Sequence, residues 1–275
     1  MLRNATMTVR EWVYKSEITG HSTFSYAELS VALPSYSRAG LSTELSRLVR
    51  AGVIASVHKG FYVTIPTRYK ATGVVPPLCY VDSMFRYLDK PYYVSLLSAA
   101  QLHGAAHQKP LVSFVTTVLP RMKTSKAKNP YMSWVYRKRI PDDCLIRERK
   151  GEWGTFRCSS PELTAVELVQ YEHLVGGLNN VATVLAELVE SVDFSSKEMP
   201  SLFSAVANRT IQRTGYLIEE VLQESETANA LYKAFKQHEE RMEWTNLSPS
   251  SEAPGCRVCK KWKIKVNYDV EADDL

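Results

Sequence analysis

The chain is poor in cysteine. Its 275 residues hold five, Cys79, Cys144, Cys158, Cys256 and Cys259, odd in number and scattered. That is too few for a disulfide scaffold and fits a reducing, cytoplasmic setting. Long apolar runs are missing too. No stretch approaches the roughly 18 uninterrupted apolar residues of a membrane span, and Met1 to Met7 lead into polar sequence without the apolar block of a secretory signal, so no membrane partner is expected. GxSxG, Walker A, GxGxxG and the kinase HRD and DFG signatures are all absent. The familiar nucleophile and nucleotide cradles therefore have no support, and neither a catalytic residue nor a cofactor is expected. Metal signals are incomplete. Cys256-Arg257-Val258-Cys259 is a CxxC with no second pair at finger spacing, half of a closed zinc site. His103 and His107 lie four residues apart but lack the glutamate of HExxH, and Gly104 is placed to end the helix between them, so a packing or capping role is expected.

What is present is ordinary soluble composition, 45% hydrophobic and 23% charged, in a length suited to about two domains. The net charge of +5 conceals an uneven distribution. Residues 1–70 carry nine lysines and arginines against four acidic residues, and residues 71–160 carry fourteen against six. Residues 161–250 reverse this, with six basic and fourteen acidic, and residues 251–275 are balanced. A basic front half points to a polyanion partner, the bland alternative being a solvated surface.

The first 70 residues read as three helices and a hairpin. Val9, Trp12, Val13 and Ile18 recur at roughly helical spacing before Gly20, and Ser25 with Glu28 forms the capping-box pattern at the head of a short helix that ends before Pro34. From Ser37 to Ala51, Leu41, Leu45, Leu48 and Val49 line one helical face, closed by Gly52. Two β-branched and aromatic runs, 53–57 and 61–65, flank His58-Lys59-Gly60 as the arms of a hairpin. This is the winged helix-turn-helix order, in which the third helix buries its leucine stripe and turns a polar face to the major groove while the wing meets flanking backbone. The opposite face holds Tyr36, Ala39, Gly40, Thr43, Ser46, Arg47 and Arg50, with no acid among them. Tyr36, Arg38, Thr43, Ser46 and Arg47, with His58 and Lys59 on the wing, are the expected DNA contacts: hydroxyls for base edges, arginine for guanine or phosphate, lysine for phosphate.

Pro76-Pro77 marks the expected boundary, giving a DNA-binding domain over 1–75, a second domain over 78–245 and a tail over 246–275. The second domain reads as helices over 80–88 and 95–103, strands over 111–119, 131–137, 144–149 and 155–158, and then almost continuous helix to about residue 240, opened by Ser160 at the cap and Pro161 at the first position. The fold class is therefore α+β, a winged helix followed by a small sheet and a helical C-terminal half. Tyr92 and Tyr93 beside Val94 read as core. Lys260 to Lys265 alternates lysine with apolar residues, as an edge strand guarded by charge does. Arg121 to Lys128, with Lys123, Lys126 and Lys128, and the run Arg137-Lys138-Arg139 form a basic patch. It stands equally as a solvated loop or as a contact for DNA or RNA phosphate.

The chain resembles the AbiEi antitoxins of type IV toxin–antitoxin systems. The carrying residues are Leu48-Val49-Arg50-Ala51-Gly52-Val53-Ile54 with Gly60-Phe61-Tyr62-Val63; Pro91-Tyr92-Tyr93-Val94-Ser95 with Ala99-Ala100 and His103-Gly104; and Ser159-Ser160-Pro161-Glu162-Leu163 with Gly176-Gly177-Leu178-Asn179. The similarity spans roughly residues 10–240. It implies an amino-terminal domain that represses its own operon at inverted repeats of double-stranded DNA, and a carboxy-terminal domain that counters an AbiEii-like nucleotidyltransferase toxin in phage defence. Such a toxin has a Gly-Ser pair ahead of paired carboxylates, whereas this chain contains no Gly-Ser dipeptide. Two alternatives stand beside this reading: a stand-alone regulator whose second domain binds a ligand or protein, and an atypical kinase acting on the toxin, for which no phosphate site is identified.

Overall fold

A computed structural model describes residues 7–105, 111–122, 131–239, 241–251 and 255–272. It divides the chain into two compact units, one taking the chain up to Pro91 with segments 118–133 and 149–156, the other taking the rest.

Helix α1 (Val9–Ile18) of the first unit starts at Thr8, where hydroxyl and Glu11 carboxylate each accept the other residue's backbone N–H, at 3.2 and 2.8 Å. The Ser25 and Glu28 pair does the same for α2 (Tyr26–Ala32), and Ser37 caps α3 (Arg38–Arg50) through the Gly40 N–H. Leu41, Leu45 and Leu48 sink into a core with Val9, Val13, Phe24, Leu29, Leu33 and Ile54. Val49, read as the fourth member of that stripe, is 38% exposed, since a residue next to Leu48 is rotated about 100° around the helix. Strands β2 (Ile54–His58) and β3 (Phe61–Thr64) form the hairpin, and β1 (Thr23–Ser25) adds to β3 antiparallel, giving the order β1-β3-β2. The expected boundary at Pro76-Pro77 falls inside this unit. Val75 and Pro77 are buried, Pro77 takes the first position of α4 (Pro77–Tyr87), and α4 packs on β1 and β3.

The five-stranded sheet runs in the order β6 (Met132–Arg137), β5 (Ser113–Val118), β4 (Tyr92–Val94), β8 (Gly154–Ser159), β7 (Ile146–Gly151). Its central strand, β4, pairs antiparallel with β5 and parallel with β8. Being buried on both sides, Tyr92, Tyr93 and Val94 are core residues, and β4 is too short to announce itself by alternation. After α5 (Leu96–Leu102), helix α6 (Pro161–Gln170) begins at the expected Ser160 cap. Residues 162–169 are buried on every side, because α5, α7 (Gly177–Leu188) and α9 (Asn208–Tyr216) all pack against α6. Helices α8 (Met199–Ala205) and α10 (Ser225–His238) complete the helical half, so the α+β class holds.

The C-terminal segment is no free tail. It forms a second small sheet in the order β10 (Val258–Cys259), β11 (Ile264–Lys265), β9 (Thr245–Asn246), with β11 in the middle and parallel to β9. The lysine-guarded edge strand expected at 260–265 is thus a central one. Between its lysines, Trp262 is fully buried, its indole N–H donating to Glu219 at 2.6 Å and its ring meeting Tyr232 edge-on at 5.2 Å. Gly215 of α9 makes room for it: a Cβ there would come 2.1 Å from the indole.

Candidate nucleic-acid interface

Burial of the leucine stripe turns Arg38, Thr43, Ser46, Arg47 and Arg50 outward, all of them exposed. Thr43, Ser46, Arg47 and Arg50 share one shallow depression with Ser42. Ser46 donates its hydroxyl to the Ser42 carbonyl at 2.8 Å, leaving oxygen lone pairs for an incoming donor. Tyr36 is half-buried against the core, with Tyr26 donating to the Arg38 carbonyl beside it. The face is not free of acid. Glu44 pairs with Arg47 at 2.6 Å, a contact between a half-buried carboxylate and an exposed guanidinium that costs little to exchange for a phosphate or a guanine edge. Helical spacing places Glu44 beside the outward face rather than beneath it, which the projection of that face alone missed.

The turn of the β2–β3 hairpin is braced from α4. Tyr87 donates its hydroxyl to the Lys59 carbonyl at 3.1 Å, stacks on Phe61 at 5.2 Å and meets the His58 ring edge-on at 6.4 Å. Gly60 turns through φ +75°, and a Cβ there would lie 2.8 Å from the Tyr87 hydroxyl oxygen. The Gly60 carbonyl accepts the Tyr26 N–H at 2.8 Å, tying the turn to α2. Lys59 is left exposed on a turn held from both sides, and His58 is half-buried. Sequence reasoning missed Tyr87, because it lies 27 residues beyond Gly60 and past the expected boundary.

The second basic run is only partly a surface. Lys123, Lys126 and Lys128 lie outside the described residues. Lys138 is exposed, and Arg139 is exposed with one N–H donating to the Ser204 carbonyl at 3.4 Å. Arg137 turns inward, which corrects its assignment to the patch. Its guanidinium donates to Glu167 and to the Ala205 carbonyl, and to the Tyr93 hydroxyl at 3.3 Å, while Tyr93 donates to the same Glu167 oxygen at 2.5 Å. The two halves of this pair are unequally dehydrated. Full burial raises the Glu167 carboxyl above the usual range despite Arg137 and Tyr93; burial of Arg137 is less complete, and Tyr93, Glu167 and Tyr171 together raise its guanidinium. Alternation along β6 could have flagged Arg137 as inward-facing, two residues on from Val135.

His103 caps α5 and its Nε2 lies 2.8 Å from the Ser159 carbonyl, with Gly104 at φ +87° ending the helix as expected; His107 is outside the described residues. Cys256 and Cys259 are half-buried free thiols, and no group of three or more potential metal ligands occurs among the described residues. Among these residues no helix is long and apolar enough to cross a membrane.

No curated protein matches the chain. Among solved structures, the crystal structure of the RV2827C protein from Mycobacterium tuberculosis has a similar fold, with a TM-score of 0.67 over 92% of this chain and 89% of that one at 17% identity. Residues 93–220, from β4 into the π-helix Leu217–Val221 that follows α9, match the family model of the AbiEi antitoxin C-terminal domain. That stretch contains Tyr93, Arg137 and Glu167 and supports an antitoxin role in a toxin–antitoxin system; over these residues the chain is similar to the AbiEi antitoxins, the family that its sequence motifs resemble.

Proposed function

We propose that the protein is the antitoxin of a type IV toxin–antitoxin system, with two separable activities: repression of its own operon by a winged helix at the front, and neutralisation of an AbiEii-like nucleotidyltransferase toxin by the AbiEi domain. The match over residues 93–220 carries the antitoxin reading. For DNA binding the support is the outward row Arg38, Thr43, Ser46, Arg47 on a helix buried by its leucines, beside a turn that presents Lys59. Helix α3 supplies base-edge hydrogen bonds from Thr43, Ser46 and arginine, and Lys59 neutralises a flanking phosphate. Inverted repeats in the operator pair two copies of this module. Neutralisation is assigned to the second unit, where Lys138 and Arg139 offer positive charge close to the acidic helical half.

The test uses full-length variants. Arg47→Ala lowers operator affinity by about 1–3 kcal/mol and relaxes selectivity at one position, whereas Lys59→Ala weakens binding to every sequence and lowers the salt slope by about one. The double variant loses repression of a promoter fusion yet still rescues growth of toxin-expressing cells. Unchanged promoter affinity in Arg47→Ala refutes the placement of α3 in the groove. Loss of rescue in an abundant, folded double variant refutes the division of labour.

A further inference from the structure

A cavity of about 270 Å³ opens at the start of α9, lined by Gln170 at the end of α6, by Arg209, Thr210 and Arg213 on α9, and by Thr245 and Asn246 of β9. A neighbouring depression, the mouth, shares Ala207, Arg209 and Thr245 with it and holds Arg241 and Trp244. The enclosed end carries two guanidinium groups, one of them, Arg209, without a counter-charge among the described residues. Arg209 and Arg213 are one helical turn apart and so share a face. Arg213 is 4% exposed and locked in place: it donates to the Leu247 carbonyl at 2.6 Å, to the Val169 carbonyl at 3.3 Å and to Glu172. Arg209 is exposed and has neither an ion pair nor a hydrogen bond among the described residues. Burial pushes the Arg213 guanidinium below its usual value; Glu172 opposes the shift and the charge of Arg209 adds to it. An anion bound here would relieve both effects.

The same end also lacks a donor. The side-chain carbonyl oxygen of Gln170 is buried with no hydrogen-bond partner among the described residues, an unmet acceptor of the kind that a ligand hydroxyl or N–H satisfies. At the mouth, Trp244 is 44% exposed, with the Lys263 ammonium 4.9 Å from its ring centroid on one side. The indole is thus a platform for a planar group. Glu239, held by Asn208 at 2.7 Å, and the exposed Glu243 stand at this mouth beside the exposed Arg241, where the carboxylates can accept from sugar hydroxyls. An anion at one end, a hydroxyl or N–H donor beside it and a planar ring at the other end together describe one ligand class.

We propose that this cleft binds a nucleoside monophosphate, with its phosphate at Arg209 and Arg213 and its base against Trp244. Isothermal titration of the full chain with AMP, GMP, CMP and UMP, and with adenosine and inorganic phosphate, tests it. At least one nucleotide binds, and adenosine and phosphate bind at least about tenfold more weakly, since each lacks one of the two anchors. Arg209→Gln lowers nucleotide affinity by about tenfold and leaves the melting temperature unchanged, because Arg209 holds nothing in the fold. Trp244→Leu weakens nucleotide and leaves inorganic phosphate as it was. No binding of any of the four nucleotides at millimolar concentration overturns the proposal. So does equal affinity for inorganic phosphate, or unchanged affinity in a folded Arg209→Gln variant.

Discussion

Replacing Arg137 by methionine isolates the most heavily buried charge pair in the second unit. The substitution keeps the aliphatic stem and removes the guanidinium, so the packing of β6 on the helices is retained. It cuts the bonds to Glu167, Tyr93 and the Ala205 carbonyl together. Glu167, with no exposed surface and one oxygen already unpartnered, is left to face its burial with only the Tyr93 hydroxyl. Stranding one member of a buried pair costs about 3–5 kcal/mol, or on the order of 10 °C in melting temperature for a unit of this size. The pH dependence has a definite sign. Burial already raises the Glu167 carboxyl, and loss of Arg137 raises it further, so in the folded variant the proton is held to higher pH than in the unfolded chain. The deficit is therefore greatest at neutral pH and shrinks as the pH falls toward the usual carboxylate value. Adding Glu167→Gln to Arg137→Met recovers part of the loss, because no charge then remains to be buried. Urea unfolding followed by circular dichroism at pH 7 and pH 5 measures all three variants. A loss in Arg137→Met below about 1 kcal/mol and equal at both pH values would refute the reading of this cluster as a desolvated ion pair.

Two glycines give sharper local tests. Gly215→Ala drives a methyl into the Trp262 indole and lowers stability by about 1–3 kcal/mol or more; Trp262→Leu in the same chain relieves the clash, and failure of that rescue would show that the two do not meet. Gly60→Ala imposes a side chain at φ +75° against Tyr87, costing about 1 kcal/mol. It reduces operator affinity beyond what Lys59→Ala does, and gel-shift titration of both variants decides whether the turn geometry or the lysine alone carries the contact.

Local chemistry was legible in the sequence in part. Ser25 with Glu28 and Ser160 before Pro161 each start a helix where hydroxyl and N–H are three residues apart, whereas the equally local Thr8 with Glu11 and the Ser37 cap were passed over. The leucine stripe of α3 was equally plain, with its outward residues following from it. Contacts set by distant segments were hidden. Tyr87 reaches the hairpin turn from α4, so it was not visible in the pattern that identified Lys59; Glu44 is only three residues from Arg47 and was missed for another reason, because it lies at the border of two helical faces. Arg137 sat in a basic run and was read as its neighbours were, although strand alternation sends it to the opposite side. Strand β4 is three residues long, and all are buried, so it has no period to detect. The cavity at α9 brings Gln170 together with Arg209 and Asn246, residues from three distant stretches with no shared motif.

The burial of Trp262 bears on the order in which the chain is finished during synthesis. The core of the first helices draws on residues 9–54, with Tyr62 of the hairpin packed against it, so it can close while the second unit is still being made. The core of the second unit contains Trp262, Ile264 and Val266 beside Tyr93 and Leu163. A ribosome that has already released the front helices still holds a second unit with an open seam along α9. Each nascent chain therefore passes through an interval in which the front module is formed and the AbiEi portion is incomplete.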